Sequence, residues 1–390
     1  MSSTPSPTLL VFAPTASGGL AEYTFHQVQA LERAGAKVVC LVAPSFLPGR
    51  SLPFKAIRCL SDPPPEGGAR LVKKLRMLGR ISACRWRLAW YIWKLRPDLV
   101  LLDSYVEYVA PFWVWPHWLL ARLGGVRYAA NLHDPQRTYV IGPVWWHRLS
   151  GRLAYRPLDF VLVHDRLPDP SPVPARVRVV QVPHGLYEIS TPSAAPGEIR
   201  RNWGVRPGQS VFLAFGYVRD GKNLDLAVRA LARVPSAFLV LAGSVASNQD
   251  KPFAHYRELA AQLGVSDRCH FAEGFVADGD LGNYFAGADF VLLTYAASFH
   301  SQSGVLNLAA RARKPVLASA AASPLLESVR NFQLGITVAP DSPDAVVRGM
   351  EQLLSAPPRP RWEDYEASAS WAVNAQGVLQ AAGLRTGPRK

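Results

Sequence analysis

Short apolar runs alternate with amphipathic stretches along all 390 residues, and the alternation halts once, at ISTPSAAPGE (189–198), before starting again. Before the halt, TLLVFAP, AKVVCLVAP, DLVLLD, RYAANLHD, DFVLVHD and VRVVQVPHG predict strands, with helical patterns such as YTFHQVQALERAG between them. After it, SVFLAFG, AFLVLAG, CHFAEG, DFVLLTY and PVLAS repeat the scheme, with LDLAVRALARV and FAHYRELAAQLG as intervening helices. Strand–helix alternation forces a parallel sheet covered by helices on both faces. Two such series predict an α/β protein of two doubly wound, Rossmann-like domains facing a cleft. The expected division is 1–190, a linker at 191–198, a second domain at 199–358, and a closing helix and tail at 359–390.

In open parallel sheets ligands gather at the C-terminal strand ends. The polar residues found there are His133 with Asp134, His164 with Asp165, and His184 with Gly185. Neither half contains GxGxxG, which argues against a dinucleotide-dependent oxidoreductase. FGYVRDGKNLDL (215–226) imitates the opening of a phosphate-binding P-loop, but Asn223 stands where that motif needs a hydroxyl for magnesium. Asp278-Gly279-Asp280 offers two carboxylates, and Asp280 is expected instead to cap the helix LGNYFAGA. The four cysteines lie scattered without paired spacing, which indicates neither a zinc site nor a disulfide framework. No secretory signal pattern is evident at the N-terminus.

The formal net charge is +14, so the surface favours anions. From Leu71 to Pro97, LVKKLRMLGRISACRWRLAWYIWKLRP holds eight Lys or Arg and no acid, interleaved with Trp, Tyr and Leu. Such a helix suits an anionic membrane surface, with rings at headgroup depth, and segment 70–96 is expected to associate there. Nucleic acid is disfavoured because no recognition motif accompanies the charge. The most apolar segment, YVAPFWVWPHWLLA, is too short to span a bilayer.

Residues 9 to about 380 resemble the GT-B glycosyltransferases of the large retaining family 4 type, glycosyl transferases group 1. Five places carry the resemblance in order: SGGLAEYTFHQVQAL, HDP at 133–135, VPHG at 182–185, FGYVRDGKNLDLAVRAL, and TYAASFHSQSGVLNLAARARKPVLAS. PLLESV and QLGITVAP then follow as such proteins' acid-then-glycine segment does. The resemblance implies transfer of a sugar from a nucleotide-diphosphate donor, with retention, no metal and no other cofactor. It makes Arg219 and Lys222 a clamp on the donor diphosphate. Ser303, Gly304 and Val305 would bind the distal phosphate through helix N-terminal amides. Gly18 and Gly19 would let the backbone approach the donor, His133 would attend the reaction centre, and Glu327 would reach the nucleotide.

Relatives commonly carry two glutamates eight apart in the SFHSQSGVLNLAA region. This chain has neither, and Asn307 or Leu308 stands near the second. Arg313 replaces a usual glycine. The expected acceptor is a glycan or lipid-linked intermediate of an envelope or exopolysaccharide, handled on the cytoplasmic face of a membrane. A catalytically silent nucleotide-sugar-binding protein and a sugar-nucleotide epimerase are the alternatives.

Overall fold

The computed structural model describes residues 6–62, 70–105, 107–133, 142–164, 167, 171, 173–247 and 249–385. They divide into two compact units, Met1–Gly185 with Ala369–Lys390, and Leu186–Ser368. Asp134, Pro135 and Asp165 of the expected sheet-edge residues lie outside the described residues.

The first unit runs β1 (Thr8–Ala13), α1 (Gly19–Arg33), β2 (Lys37–Val42), β3 (Lys55–Arg58), α2 (Arg70–Leu95), β4 (Leu99–Leu102), α3 (Val114–Gly124), β5 (Arg127–Leu132), α4 (Val144–Ala154), β6 (Phe160–Val163) and β7 (Arg178–Gln181). All pairings are parallel, in the order β3-β2-β1-β4-β5-β6-β7. Alternate β1 side chains enter different cores: Leu10 and Phe12 one, Leu9 and Val11 the other. The strand is apolar at every position because both faces of the sheet are covered. The sequence pattern overlooked β3, Lys-Ala-Ile-Arg, since an edge strand bounded by charges carries no apolar run.

The second unit runs α5 (Pro196–Trp203), β8 (Ser210–Phe215), α6 (Leu224–Leu231), β9 (Ala237–Gly243), α7 (Phe253–Gln262), β10 (Cys269–Glu273), α8 (Leu281–Gly287), β11 (Phe290–Thr294), α9 (Gly304–Arg311), β12 (Val316–Ser319), α10 (Pro324–Asn331), β13 (Gly335–Thr337), α11 (Pro343–Ser355) and α12 (Trp362–Ser368). Its sheet, also parallel, is ordered β10-β9-β8-β11-β12-β13. In each sheet the order reverses beside the first strand, at β1/β4 and at β8/β11. A crevice forms at such a switch because adjacent crossovers leave in opposite directions.

Three expectations change. The division falls at Gly185/Leu186, and 196–198, expected as linker, form the first turn of α5, where Pro196 is preset for a helix start. The closing segment is two helices rather than one. The second, α13 (Trp371–Ala381), belongs to the first unit and begins at Ser370, whose hydroxyl accepts from the Val373 amide. A buried network anchors it there: Gln27 Nε2 donates to Asn374 Oδ1 at 2.9 Å, Asn374 Nδ2 donates to Tyr23 OH at 2.9 Å, and Asn131 Nδ2 donates to Gln27 Oε1 at 2.8 Å. Asp280 stands at the expected N-cap position of α8, but its side chain makes no capping hydrogen bond. It closes a tight turn, Asp278–Asp280, in helical backbone conformation, whereas a capping residue is usually extended.

Candidate functional site

At the β8/β11 switch the chain leaves β8 through Gly216, whose φ of +86° glycine adopts without steric cost. Gly243, ending β9, lets this turn lie close, since a Cβ there would stand 2.1 Å from the Gly216 carbonyl oxygen. A tight turn follows at Asp220–Lys222 and α6 begins two residues later. Lys222 folds back so that its Nζ donates to Phe215 O at 2.8 Å. One of three ammonium protons is thereby used and two remain available. Burial, with the neighbouring Arg219 charge adding to it, pulls Lys222 down to about 8. Arg219 is exposed, its guanidinium 5.8 Å from the Tyr217 ring centroid.

The start of α9 approaches the same turn. A methyl group placed on Gly216 would meet Lys222 Nζ at 3.5 Å and Val305 Cγ2 at 3.7 Å. Three other helices here begin after a serine whose hydroxyl caps an amide: Ser323 for α10, Ser342 for α11 and Ser370 for α13. Ser303 does not cap α9. Its hydroxyl shares a 2.8 Å hydrogen bond with the buried Tyr295 hydroxyl, and its amide donates to Gln302 Oε1 at 3.1 Å. Of the three expected amides, Ser303's is therefore engaged, while those of Gly304 and Val305 lie in the first turn, which a helix cannot satisfy internally.

Sequence reading missed the residues that brace this arrangement. Asp341 accepts from Asn223 Nδ2 at 2.7 Å and from the Ala297 amide at 2.9 Å, and Thr294 Oγ1 donates to Lys222 O at 2.9 Å. The glycine ending AFLVLAG was the one available signal, since a strand-end glycine often marks close backbone approach. Glu327 is exposed on the first turn of α10. Asn307, where a glutamate is common, is buried and accepts from Tyr365 OH at 2.6 Å. Arg313 has φ +55°, a conformation that favours glycine, and Nη1 pairs with Glu363 Oε1 at 2.7 Å.

In the first unit the loop from β1 to α1 carries Gly18 at φ +78°, while a Cβ at Gly19 would meet nothing within 4 Å. Beyond β5, His133 Nε2 donates to Asp103 O at 3.0 Å and lies 3.8 Å from Asp103 Oδ1. Both Asp103 carboxylate oxygens are buried without a hydrogen-bond partner among the described residues. His164 and His184 pack with Tyr23, at centroid distances of 5.1 and 5.2 Å. Burial pulls His184 down to about 4 and His164 well below its usual range. Gly185 has a packing reason: a Cβ there would lie 2.2 Å from the Trp371 ring. Among the described residues, no cluster of three His, Cys, Asp or Glu could hold a metal ion.

Residues 197–372 match the family model described as Glycosyl transferases group 1, so the second unit carries a domain of that kind. A D-inositol 3-phosphate glycosyltransferase of Mycobacteroides abscessus is 28% identical over 216 residues, 54% of this chain and 47% of that protein. The curated relatives are thus matched over about half their length or less. Two solved structures align over nearly the whole chain. Sucrose-phosphate synthase from Thermosynechococcus elongatus has a TM-score of 0.69 at 18% identity, covering 96% of this chain and 98% of that one. The Anabaena protein HepE, in complex with UDP and glucose, has a TM-score of 0.64 at 16% identity, covering 97% and 95%. The fold is that of GT-B glycosyltransferases.

Proposed function

We propose that this protein is a glycosyltransferase, moving a hexosyl group from a nucleotide-diphosphate donor to an acceptor hydroxyl with retention of configuration. One observation carries the reading: Lys222 Nζ and the uncapped start of α9 converge on Gly216, within reach of an anion. Lys222 keeps two ammonium protons beyond its bond to Phe215 O, the Gly304 and Val305 amides lie in a first turn that a helix cannot satisfy internally, and a diphosphate would accept from both. Arg219, on the exposed side, adds a planar fork for two further oxygens.

As the bond from the anomeric carbon to the diphosphate oxygen breaks, charge develops on that oxygen. Preorganised donors then stabilise the transition state more than the bound donor, by roughly 3 kcal/mol for one such contact. The acceptor oxygen attacks the same face, and its proton passes to the departing phosphate. The Arg–Lys–helix set supplies the positive charge, so we propose a metal-independent reaction. The nucleotide-bound neighbour and the sugar-transferring relatives support a nucleotide-sugar donor, and they do not favour an epimerase.

The proposed acceptor is a glycan or lipid-linked intermediate at the cytoplasmic face of a membrane, with the protein bound peripherally. Trp86, Trp90 and Trp93 of α2 are exposed at 55%, 48% and 65%, at a spacing that aligns them on one helix face. Arg87 and Lys94 flank them, a pairing suited to an anionic interface. Among the described residues, no helix is long and apolar enough to cross a membrane.

Thermal-shift screening of UDP-, GDP-, ADP- and dTDP-sugars tests the donor assignment. A true donor at 100 times its dissociation constant stabilises by about 2.7 kcal/mol, and Lys222→Ala removes most of the shift. An unchanged response in that variant would exclude the clamp. Activity retained in excess EDTA is expected, and its loss would exclude the metal-independent route. Sedimentation with anionic vesicles tests the membrane assignment.

A further inference from the structure

The switch point of the first sheet opens onto a cavity of about 1130 Å³. Ala16 and Ser17, from the loop that continues into Gly18, form part of its wall. Much of the rest is apolar, with Met77 and Ile81 of α2, Phe112, and Trp145 and Trp146 of α4. The volume slightly exceeds the usual range of small-molecule sites, more than a free sugar would fill. Its charged lining residues are Lys74, Arg80 and Arg85, with no carboxylate among them.

Arg85 departs from the sequence expectation of a basic outer face, being only 3% exposed. Among the described residues no carboxylate lies within ion-pairing distance of it, and its Nη1 has no hydrogen-bond partner. The guanidinium lies 4.4 Å from the Trp113 ring centroid and 4.8 Å from that of Phe12. His117 offers it no counter-charge: its Nε2–H donates to Arg85 O at 3.1 Å. Arg80 donates from Nε to Ser61 O and from Nη2 to Pro14 O, both at 2.8 Å, and forms no ion pair among the described residues. For Arg85, the buried Glu107 carboxylate acts on it from beyond ion-pairing distance, and a buried guanidinium without a paired, hydrogen-bonded anion is costly to maintain. An anionic ligand would complete it.

We infer that this cavity holds a phosphate-headed long-chain lipid. The head sits against Arg85 and Arg80, and the chain lies along Met77, Ile81 and the α4 tryptophans. Two observations select this occupant together: an apolar wall that takes a chain, and unpaired cations that take an anion. Because the wall includes Ala16 and Ser17, the lipid head lies beside the loop leading to Gly18. The lipid's role as acceptor rests on the transfer reading; its binding does not.

Full-length protein is titrated with dodecyl phosphate below its micelle concentration, with neutral dodecyl maltoside and with inorganic phosphate, and tryptophan fluorescence is followed. The UDP thermal shift is recorded on the same samples. Saturable binding of dodecyl phosphate is expected, at least tenfold tighter than the maltoside, with no binding of inorganic phosphate. Arg85→Met should weaken it roughly tenfold to a hundredfold, the usual range for a hydrogen bond to a charged group. The UDP shift should remain.

Met77→Glu, at a position 37% exposed, places an acid in the wall and should weaken binding at least tenfold without disturbing the core. It decides the matter if Arg85→Met fails to fold. Equal affinity for the two amphiphiles overturns the inference, as does unchanged affinity in the variant that folds. Binding to anionic vesicles without binding of monomeric dodecyl phosphate also overturns it, leaving a surface attachment only. Dodecyl phosphate binding without any nucleotide response would uphold the cavity and remove the transfer reading.

Discussion

The two sheets repeat one strand order, and both switch points hold cations, yet only the first is walled by aromatic and aliphatic side chains. At β8/β11 the groups are a lysine, an arginine and an uncapped helix start around a glycine turn. At β1/β4 there is a large aromatic-walled cavity with a buried arginine. Topology fixes where a crevice opens, because it depends on where crossovers diverge. The side chains that happen to face the crevice fix what can enter. On this reading one switch point takes the charged donor and the other an amphiphilic acceptor.

The most severe way to break that contrast is Lys222→Ala, which should lower kcat by about 10² to 10³ if it removes one transition-state donor. Dodecyl phosphate binding to the first unit should be unchanged, and a shared loss would mean the sites are not separate. Next comes Gly243→Ala. A Cβ there meets the Gly216 carbonyl, so unfolding measurements should give a loss of about 1–3 kcal/mol together with a weaker UDP response.

Acid distinguishes the units in the other direction. Burial holds His117 at about 3 and His184 at about 4, and His164 is also lowered, whereas in the second unit His270 is the one lowered histidine among the described residues. Each lowered group binds its proton more readily when unfolded. Its contribution is therefore intact above pH ~6.5 and is lost as pH falls toward the folded value, at about 1.4 kcal/mol per pH unit per histidine. Denaturation followed between pH 7 and 5 should weaken the first unit more than the second.

A smaller effect sharpens the donor side. Lys222, at about 8, loses charge in alkali, and a bound diphosphate would hold its proton. UDP affinity should fall about fivefold from pH 8 to pH 9 with proton uptake on binding, seen by calorimetry in two buffers. Arg313→Gly should do least. It relieves a left-handed residue but removes an exposed ion pair and adds unfolded-state freedom, so the unfolding midpoint should barely move and transfer not at all.

Much of the architecture was legible because strand and helix periods are local. The runs that end at Ala13, Leu132 and Phe215 needed no partner to be recognised. Arg219, Lys222 and the Ser303–Val305 segment could likewise be placed at strand and helix ends from order alone. The role of Ser303 could not. A serine before a helix promises a cap, and only the neighbouring Tyr295 hydroxyl diverts it. Nor could the tail be assigned, since the network that ties Asn374 to Gln27 spans more than three hundred residues.

The chain by itself determined two α/β units, their glycine turns and a basic, tryptophan-rich helix, since backbone preference and apolar period act over a few residues. Tertiary packing alone decided that Arg85 turns inward while Arg87 stays out, that Gly243 makes room for the Gly216 carbonyl, and that Arg313 occupies a glycine conformation. A charge's cost and a contact's distance depend on neighbours brought together from afar, and no short stretch of sequence contains them.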